Sequence, residues 1–144
     1  MKIYLIFAFL LLGLSANAQK QEVQKTIEIF FEGFHQKDSI KIKSVCSDAI
    51  ILQSISESAI KGNKLSDEKA STFYKSIASI PANMKFKEKI LSYSIQIDGI
   101  MAHVWAPYEF YLNDKLSHSG VNTFTLFKEK DSWKIIYLID TRRK

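Results

Sequence analysis

The feature of this sequence that most constrains its fold is a change of apolar periodicity at Pro81. Before Pro81, apolar residues recur at spacings of three and four, which is typical of helices. After it, short turns separate four β-prone segments, at residues 86–97, 100–112, 116–127 and 133–139. Helices followed by an antiparallel meander predict an α+β domain in which the helices pack on one face of the sheet.

Three helices are predicted in the first half of the chain. The first spans residues 21–37, because one face of a 3.6-residue period carries Val23, Ile27, Phe30, Phe31 and Phe34. Asp38 can cap a second helix at residues 39–46. A strand is expected at residues 49–55 and a turn at Gly62-Asn63, and the third helix is expected from Ser66 to residue 80, before Pro81.

The first 18 residues have the pattern of a cleavable signal peptide. Lys2 supplies positive charge, residues 3–14 are almost wholly apolar, and Ala16 and Ala18 stand where a signal peptidase requires small residues. The apolar run is shorter than the ~20 residues that a membrane-spanning helix needs. We expect a signal peptide over residues 1–18, one domain over residues 19–144, and a periplasmic or secreted protein without a stable membrane anchor. A buried first helix or an uncleaved anchor is the alternative.

Charge and composition argue against several kinds of partner. The formal net charge is +5 at pH 7, but the lysines are interleaved with acidic and apolar residues. Lys85, Lys87 and Lys89 alternate as on the solvated face of a strand, so a nucleic-acid partner is not expected. The three histidines show no metal-ligand spacing with one another or with Cys46, which we expect to be buried at a helix end. No metal site is expected, and no motif indicates a cofactor.

Alternation along two β segments predicts which side chains face a pocket. In residues 116–127, the better inward set carries His118, Asn122 and Phe124, and in residues 102–112 the inward set includes Tyr108. We expect these four residues to bind the ligand. His118 is also a candidate for proton transfer, because the ordinary pKa of histidine is ~6.5. A hydrogen-bonded His118 at the rim and a plain core Tyr108 are the alternatives.

The opposite positions of residues 102–112 carry His103, Trp105 and Tyr111. Large aromatic side chains on the outer face of a sheet predict a protein partner, and we expect a homodimer interface there. Pro107 predicts a bulge or an irregular edge within the same segment. Near the end of the chain, Asp140 and Arg142 can form an ion pair at the rim or contact an anion, although exposed chain ends more often do neither.

Parts of the second half resemble a known group of proteins. These parts are residues 104–111 (VWAPYEFY), 118–124 (HSGVNTF) and 133–136 (WKII), and residues 140–143 (DTRR) fit the same group. With the order of elements, they resemble the nuclear-transport-factor-2-like (NTF2-like) superfamily, in particular its exported SnoaL-like branch labelled "putative lumazine-binding". The resemblance covers essentially all of residues 19–144. It implies a cone, with a curved antiparallel sheet wrapped around three N-terminal helices and a pocket at the open end.

Because one fold serves many functions, the resemblance leaves three functions open. We expect non-catalytic binding of a small, partly aromatic molecule. An isomerase, dehydratase or cyclase, with His118 as acid or base and Tyr108 or Asn122 as hydrogen-bond donor, is the first alternative. A dimeric association module with a collapsed pocket is the second. Two inward polar groups that reach a common point of a cavity would favour the enzyme, and a closed cavity would favour the module.

Overall fold

The computed structural model describes residues 2–60 and 62–143, with side chains from Asn17 onward. The predicted signal peptide, residues 1–18, therefore lies almost wholly outside the described side chains. Within the described part, no helix is both long enough and apolar enough to cross a membrane.

The described residues form three helices and seven strands. In chain order they are α1 (Lys2–Gln36), α2 (Ser39–Val45), β1 (Cys46–Ser56), β2 (Lys64–Glu68), α3 (Ala70–Ala78), β3 (Phe86–Ile90), β4 (Ser94–Asp98), β5 (Met101–Leu112), β6 (Lys115–Glu129) and β7 (Ser132–Arg142). The strand order is β2-β1-β7-β6-β5-β3, and β4 also pairs with β5. All pairs are antiparallel except β1 with β7. The predicted α+β cone, a curved sheet around the helices, is confirmed.

Helices α1 and α2 cover the predicted segments, although α1 already begins at Lys2, and α1 buries most of its predicted apolar face. Val23, Ile27, Phe30 and Phe31 of α1 are buried. The Phe30 ring stands edge-on to Phe124 of β6, with ring centroids 5.9 Å apart. Each such buried aromatic ring contributes roughly 1.5–3 kcal/mol to stability. The core therefore lies between α1 and the inner face of the sheet.

Asp38 caps α2 as predicted. Its carboxylate accepts hydrogen bonds from the backbone N–H groups of Ile40 and Lys41, at 3.0 and 2.9 Å. Such a cap satisfies N–H groups that have no partner within the helix. Cys46 ends this helix and is buried, and burial raises the pKa of its thiol to about 11. The thiol is therefore protonated at neutral pH.

The third helix begins later than predicted, because residues 64–68 form a strand. Ser66 pairs with Ser54 of β1, and Glu68 pairs with Leu52. The polar run Ser66-Asp67-Glu68 has the local composition of a helix start, but pairing with β1 outweighs this local preference. The helix proper starts at Ala70 and buries Ile77.

Of the two outcomes predicted for Pro107, the structure shows an irregular edge and no bulge against β6. Pro107 pairs in register with Val121, and the one irregularity between these strands lies between Phe110 and Tyr111. On the other side of β5, the pairing is interrupted opposite Pro107, because β3 ends at Ile90 and β4 begins at Ser94. There the Leu91 N–H donates to the Pro107 carbonyl at 2.8 Å. The missing N–H of proline therefore falls where no ladder bond is required.

A bulge in β7 changes which side of the strand faces the core. Thr125 pairs with Tyr137 but Leu126 pairs with Ile135, so Ile136 is an extra residue. Before the bulge, Trp133 and Ile135 are buried. After it, the even-numbered positions face inward, and they include Leu138, Asp140 and Arg142.

Candidate functional site

A cavity of about 500 Å³ opens between the helices and the inner face of the sheet. This volume lies in the range of small-molecule sites. One wall is apolar and largely aromatic, and it consists of Phe30, Phe31, Phe34, Leu52, Phe73 and Leu138. The cavity is open to solvent, so it is not the collapsed pocket that an association module would have.

Glu88 and Asn122 form a polar pair on the cavity lining. Glu88 comes from β3 and Asn122 from β6, and the Asn122 amide Nδ2 donates to Glu88 Oε1 at 2.6 Å. Burial raises the pKa of the Glu88 carboxyl to about 7, the hydrogen bond from Asn122 opposes this rise, and the nearby Asp140 charge adds to it. Glu88 is therefore poised between its acid and its base form near neutral pH.

A second polar pair on the lining comes from β7, after the bulge. Arg142 Nε lies 2.8 Å from Asp140 Oδ2, which makes the ion pair that the sequence suggested. Partial burial opposes the charged form of Arg142, but the hydrogen bond and charge of Asp140 outweigh it and raise the guanidinium pKa. The Tyr108 hydroxyl donates to the Thr141 carbonyl at 2.9 Å and lies 3.2 Å from Asp140 Oδ2. Both pairs line the same cavity.

Polar side chains of β1 and β2 complete the lining. Asp67 and Glu68 of β2 are exposed to solvent. Gln53 of β1 donates from Nε2 to Asp67 Oδ1 at 2.7 Å. The remaining lining groups are hydroxyls, from Ser54, Ser56 and Ser66. This side of the cavity therefore offers carboxylates and hydrogen-bonding groups.

His35 of α1 supports Glu88 through the backbone. The Glu88 N–H donates to His35 Nε2 at 3.0 Å. Burial and the charge of Lys87 lower the pKa of His35. A neutral imidazole with Nε2 as acceptor fits this contact. The end of α1 thus fixes the position of the strand that carries the carboxylate.

The structure brings one of the four predicted ligand residues to the cavity, namely Asn122. Tyr108 is 2% exposed and lies behind the lining, joined to it through Asp140. Phe124 is fully buried against Phe30 and Phe31.

His118 does not line this cavity. Its ring stacks on Phe110, with ring centroids 4.8 Å apart, and its Nδ1 lies 3.2 Å from Ser117 Oγ.

Two of the three predicted interface residues are exposed on the outer face of β5. His103 and Trp105 are exposed, with Trp105 at 51%. Tyr111 is partly buried, and its hydroxyl donates to Glu109 Oε2 at 2.7 Å. Burial alternates along β5 from Ala102 to Ala106, so the predicted alternation holds in this part of the strand.

Sequence reasoning missed Glu88, although a signal for it was present. The alternating lysines at 85, 87 and 89 indicated the solvated face of a strand. Glu88 shares the opposite face with Phe86 and Ile90, and all three are less exposed than the lysines. A carboxylate between two apolar residues of the inward set is the pattern that identifies it.

The described residues contain no group of three or more His, Cys, Asp or Glu side chains arranged to hold a metal ion. No known family model and no curated protein matches the sequence.

Several solved structures are similar to the fold. One is an NTF2-like protein of unknown function from Shewanella baltica (16% identity, 88% of this chain and 95% of that chain, TM-score 0.64). Another is a putative dehydratase of the NTF2-like family from Streptomyces avermitilis (15% identity, 90% and 99% covered, TM-score 0.68). A third is the β subunit of a putative aromatic-ring-hydroxylating dioxygenase from Novosphingobium aromaticivorans (10% identity, 90% and 92% covered, TM-score 0.72).

Proposed function

Since the chain has the NTF2-like fold, we propose that it binds a small, partly aromatic molecule in the cavity between its helices and its sheet. The observation that carries this proposal is the cavity of about 500 Å³, with an aromatic wall on one side and hydrogen-bonding groups on the other. Apolar area holds such a ligand, and a few fixed polar groups orient it.

The experiment is native mass spectrometry of protein purified from its own host. We expect a small-molecule adduct on the wild type. Ser54→Trp would fill the cavity from β1 and abolish the adduct, and Ser117→Trp, on an exposed position off the lining, would retain it. An adduct that survives Ser54→Trp would place binding elsewhere, and a wild type without any adduct would count against the proposal.

A second candidate function is acid–base catalysis, as in an isomerase or a dehydratase. The observation that favours it is Glu88, a carboxyl of raised pKa that faces the cavity beside the amide of Asn122. In this function Glu88 takes a proton from the ligand and Asn122 orients the carboxylate. Glu88 thus replaces His118 as the proton-transfer group, because His118 is off the cavity lining.

Deuterium exchange separates the two candidates. If the protein is an enzyme, the wild type should incorporate deuterium from D2O into the ligand or convert the ligand to a product. Glu88→Gln should abolish both exchange and conversion but retain the ligand adduct. Glu109→Gln, a partly buried carboxylate off the cavity lining, is the control and should leave exchange unchanged. A ligand that the wild type returns undeuterated and unconverted supports binding without catalysis.

We also propose that the domain acts outside the cytoplasm, because of the signal-peptide pattern of residues 1–18. N-terminal sequencing of the exported protein should begin at Gln19. A membrane-bound form that retains Met1 would contradict this location.

We also propose that the protein forms a homodimer through the outer face of its sheet. Met101, Trp105 and Phe127 are 51%, 51% and 39% exposed, and Met101 pairs directly with Phe127 across β5 and β6. A second copy of the same face would cover these side chains symmetrically.

A further inference from the structure

We propose that the ligand of this cavity is an organic cation, a protonated amine carried on an aromatic or apolar body. The inference rests on the proposed binding function and specifies the chemical class of the ligand. It comes from the charges on the lining, which have the opposite sign to the charge of the whole chain.

The charged groups of the lining are mostly acidic. Among the described residues that line the cavity there are four carboxylates and one guanidinium, namely Asp67, Glu68, Glu88, Asp140 and Arg142. The lining therefore carries a net charge of −3 when all of them are ionised. The whole chain carries +5. Negative charge is thus concentrated at the cavity of a basic protein.

The single guanidinium does not make the cavity an anion site. Arg142 Nε is held 2.8 Å from Asp140 Oδ2, so these two groups neutralise each other. An anionic ligand would compete with Asp140 for Arg142, and it would be repelled by the other three carboxylates. A cationic ligand leaves this ion pair intact.

Glu88 offers a free acceptor to such a cation. Its Oε1 accepts from Asn122, whereas its Oε2 accepts no hydrogen bond from the described part of the chain. An ammonium group that donates to Oε2 would make a charge-assisted hydrogen bond, which is roughly twice as strong as a neutral one. Aromatic rings attract a cation placed over their faces, and four phenylalanines line the same cavity.

This geometry makes cation binding depend on pH. Glu88 changes its charge near pH 7, because burial raises its pKa to about 7. A cation favours the ionised carboxylate, so binding releases a proton below that pH. Affinity for an ammonium ligand should therefore rise between pH 6 and pH 8.

A matched series of ligands tests the proposal. 2-(1-Naphthyl)ethylammonium, 2-(1-naphthyl)ethanol and 3-(1-naphthyl)propionate share one aromatic body and differ in charge, and naphthyl fluorescence anisotropy reports their binding. At pH 8 we expect the ammonium to bind at least about tenfold more tightly than the alcohol, with the carboxylate weakest. Glu88→Gln should remove most of this preference and leave the affinity for the alcohol unchanged. Glu109→Gln is the matched control.

The pH dependence provides a second readout that needs no variant. Affinity of the wild type for the ammonium should increase from pH 6 to pH 8, and affinity for the alcohol should stay constant. Tighter binding of the alcohol or the carboxylate would overturn the cation inference and leave the binding function standing. If no member of the series binds, the cation inference is also overturned, and the native mass spectra decide the binding function separately.

Discussion

Burial of Glu88 gives the cavity a carboxyl group whose pKa lies near neutral pH. Its carboxyl has a pKa of about 7 in the folded protein, against an ordinary value of 4.5. Between these two values, the unfolded chain has already lost the proton that the folded chain retains. Stability conferred by this group is therefore fully present below about pH 4.5 and is lost as the pH rises to about 7.

Glu88→Gln should remove this pH dependence. We expect the free energy of unfolding of the wild type to fall by at most about 3 kcal/mol between pH 4.5 and pH 8 through this group, and the variant to lack that fall. Glu88→Gln should then be the more stable protein at pH 8. Urea unfolding across this pH range measures both quantities. A slope that Glu88→Gln leaves unchanged would show that the carboxyl titrates normally.

At the scale of single residues, sequence reasoning identified part of the site. The alternation of residues along β6 predicted that Asn122 faces the cavity, and Asn122 lines it. His118 lies on the same face of β6 as Asn122, but its ring stacks on Phe110 and does not line the cavity. The position of a residue along the strand therefore matters as well as the face of the strand that it occupies. The facing of Asp140 and Arg142 depends on the bulge at Ile136, which no local pattern in β7 marks.

Among the elements, strands β6 and β7 meet at a position that only glycine can occupy. A Cβ atom on Gly120 would lie 1.7 Å from the Thr141 carbonyl oxygen and 2.9 Å from the Tyr108 ring. The carbonyl belongs to backbone and cannot rotate away. The same Thr141 carbonyl accepts the Tyr108 hydroxyl, so the close approach also positions the strand that carries Asp140.

Gly120→Ala should therefore destabilise the protein by about 3 kcal/mol or more, since backbone must shift to admit the methyl group. Ser119→Ala, at the neighbouring position, adds no atom and is the control. Thermal unfolding monitored by circular dichroism compares the two variants. Equal midpoints for Gly120→Ala and the wild type would contradict the close approach of the two strands.

The elements that the sequence failed to predict are those set by distant partners. The local patterns identified α1, α2 and the four later β segments, because each carries its own periodicity or turn residues. The local sequence favours a helix start at Ser66, within β2, since only pairing with β1 makes residues 64–68 extended. The parallel pairing of β1 with β7 joins residues 86 to 89 positions apart, from Cys46 with Ile135 to Ser56 with Arg142, and no local signal specifies it.

For the whole molecule, the outer face of the sheet makes a prediction about assembly. Burial of apolar area is worth ~25 cal/mol per Å² before the cost of association. We expect a wild-type dimer at micromolar concentration, and Trp105→Glu should weaken it by a factor of about 30 or more, because it would bury an unpaired charge. Sedimentation velocity over a concentration series measures this.

The control for assembly is Ile40→Glu. Ile40 is 81% exposed on α2, away from the outer face of the sheet. This variant adds the same charge and should leave the sedimentation coefficient unchanged. A wild type that stays monomeric throughout the series would refute the interface.

The place of β7 in the sheet has a consequence for how the chain acquires its structure during synthesis. β7 is the last strand in the chain, yet it lies between β1 and β6 and holds the two parts of the sheet together. A nascent chain that ends before residue 132 leaves β1 without its parallel neighbour, and it lacks Trp133 and Ile135 of the core. Such long-range pairing must wait until the terminal strand has emerged. We therefore expect the sheet to close only after β7 has emerged, and a nascent chain that stops before residue 132 to lack the closed sheet.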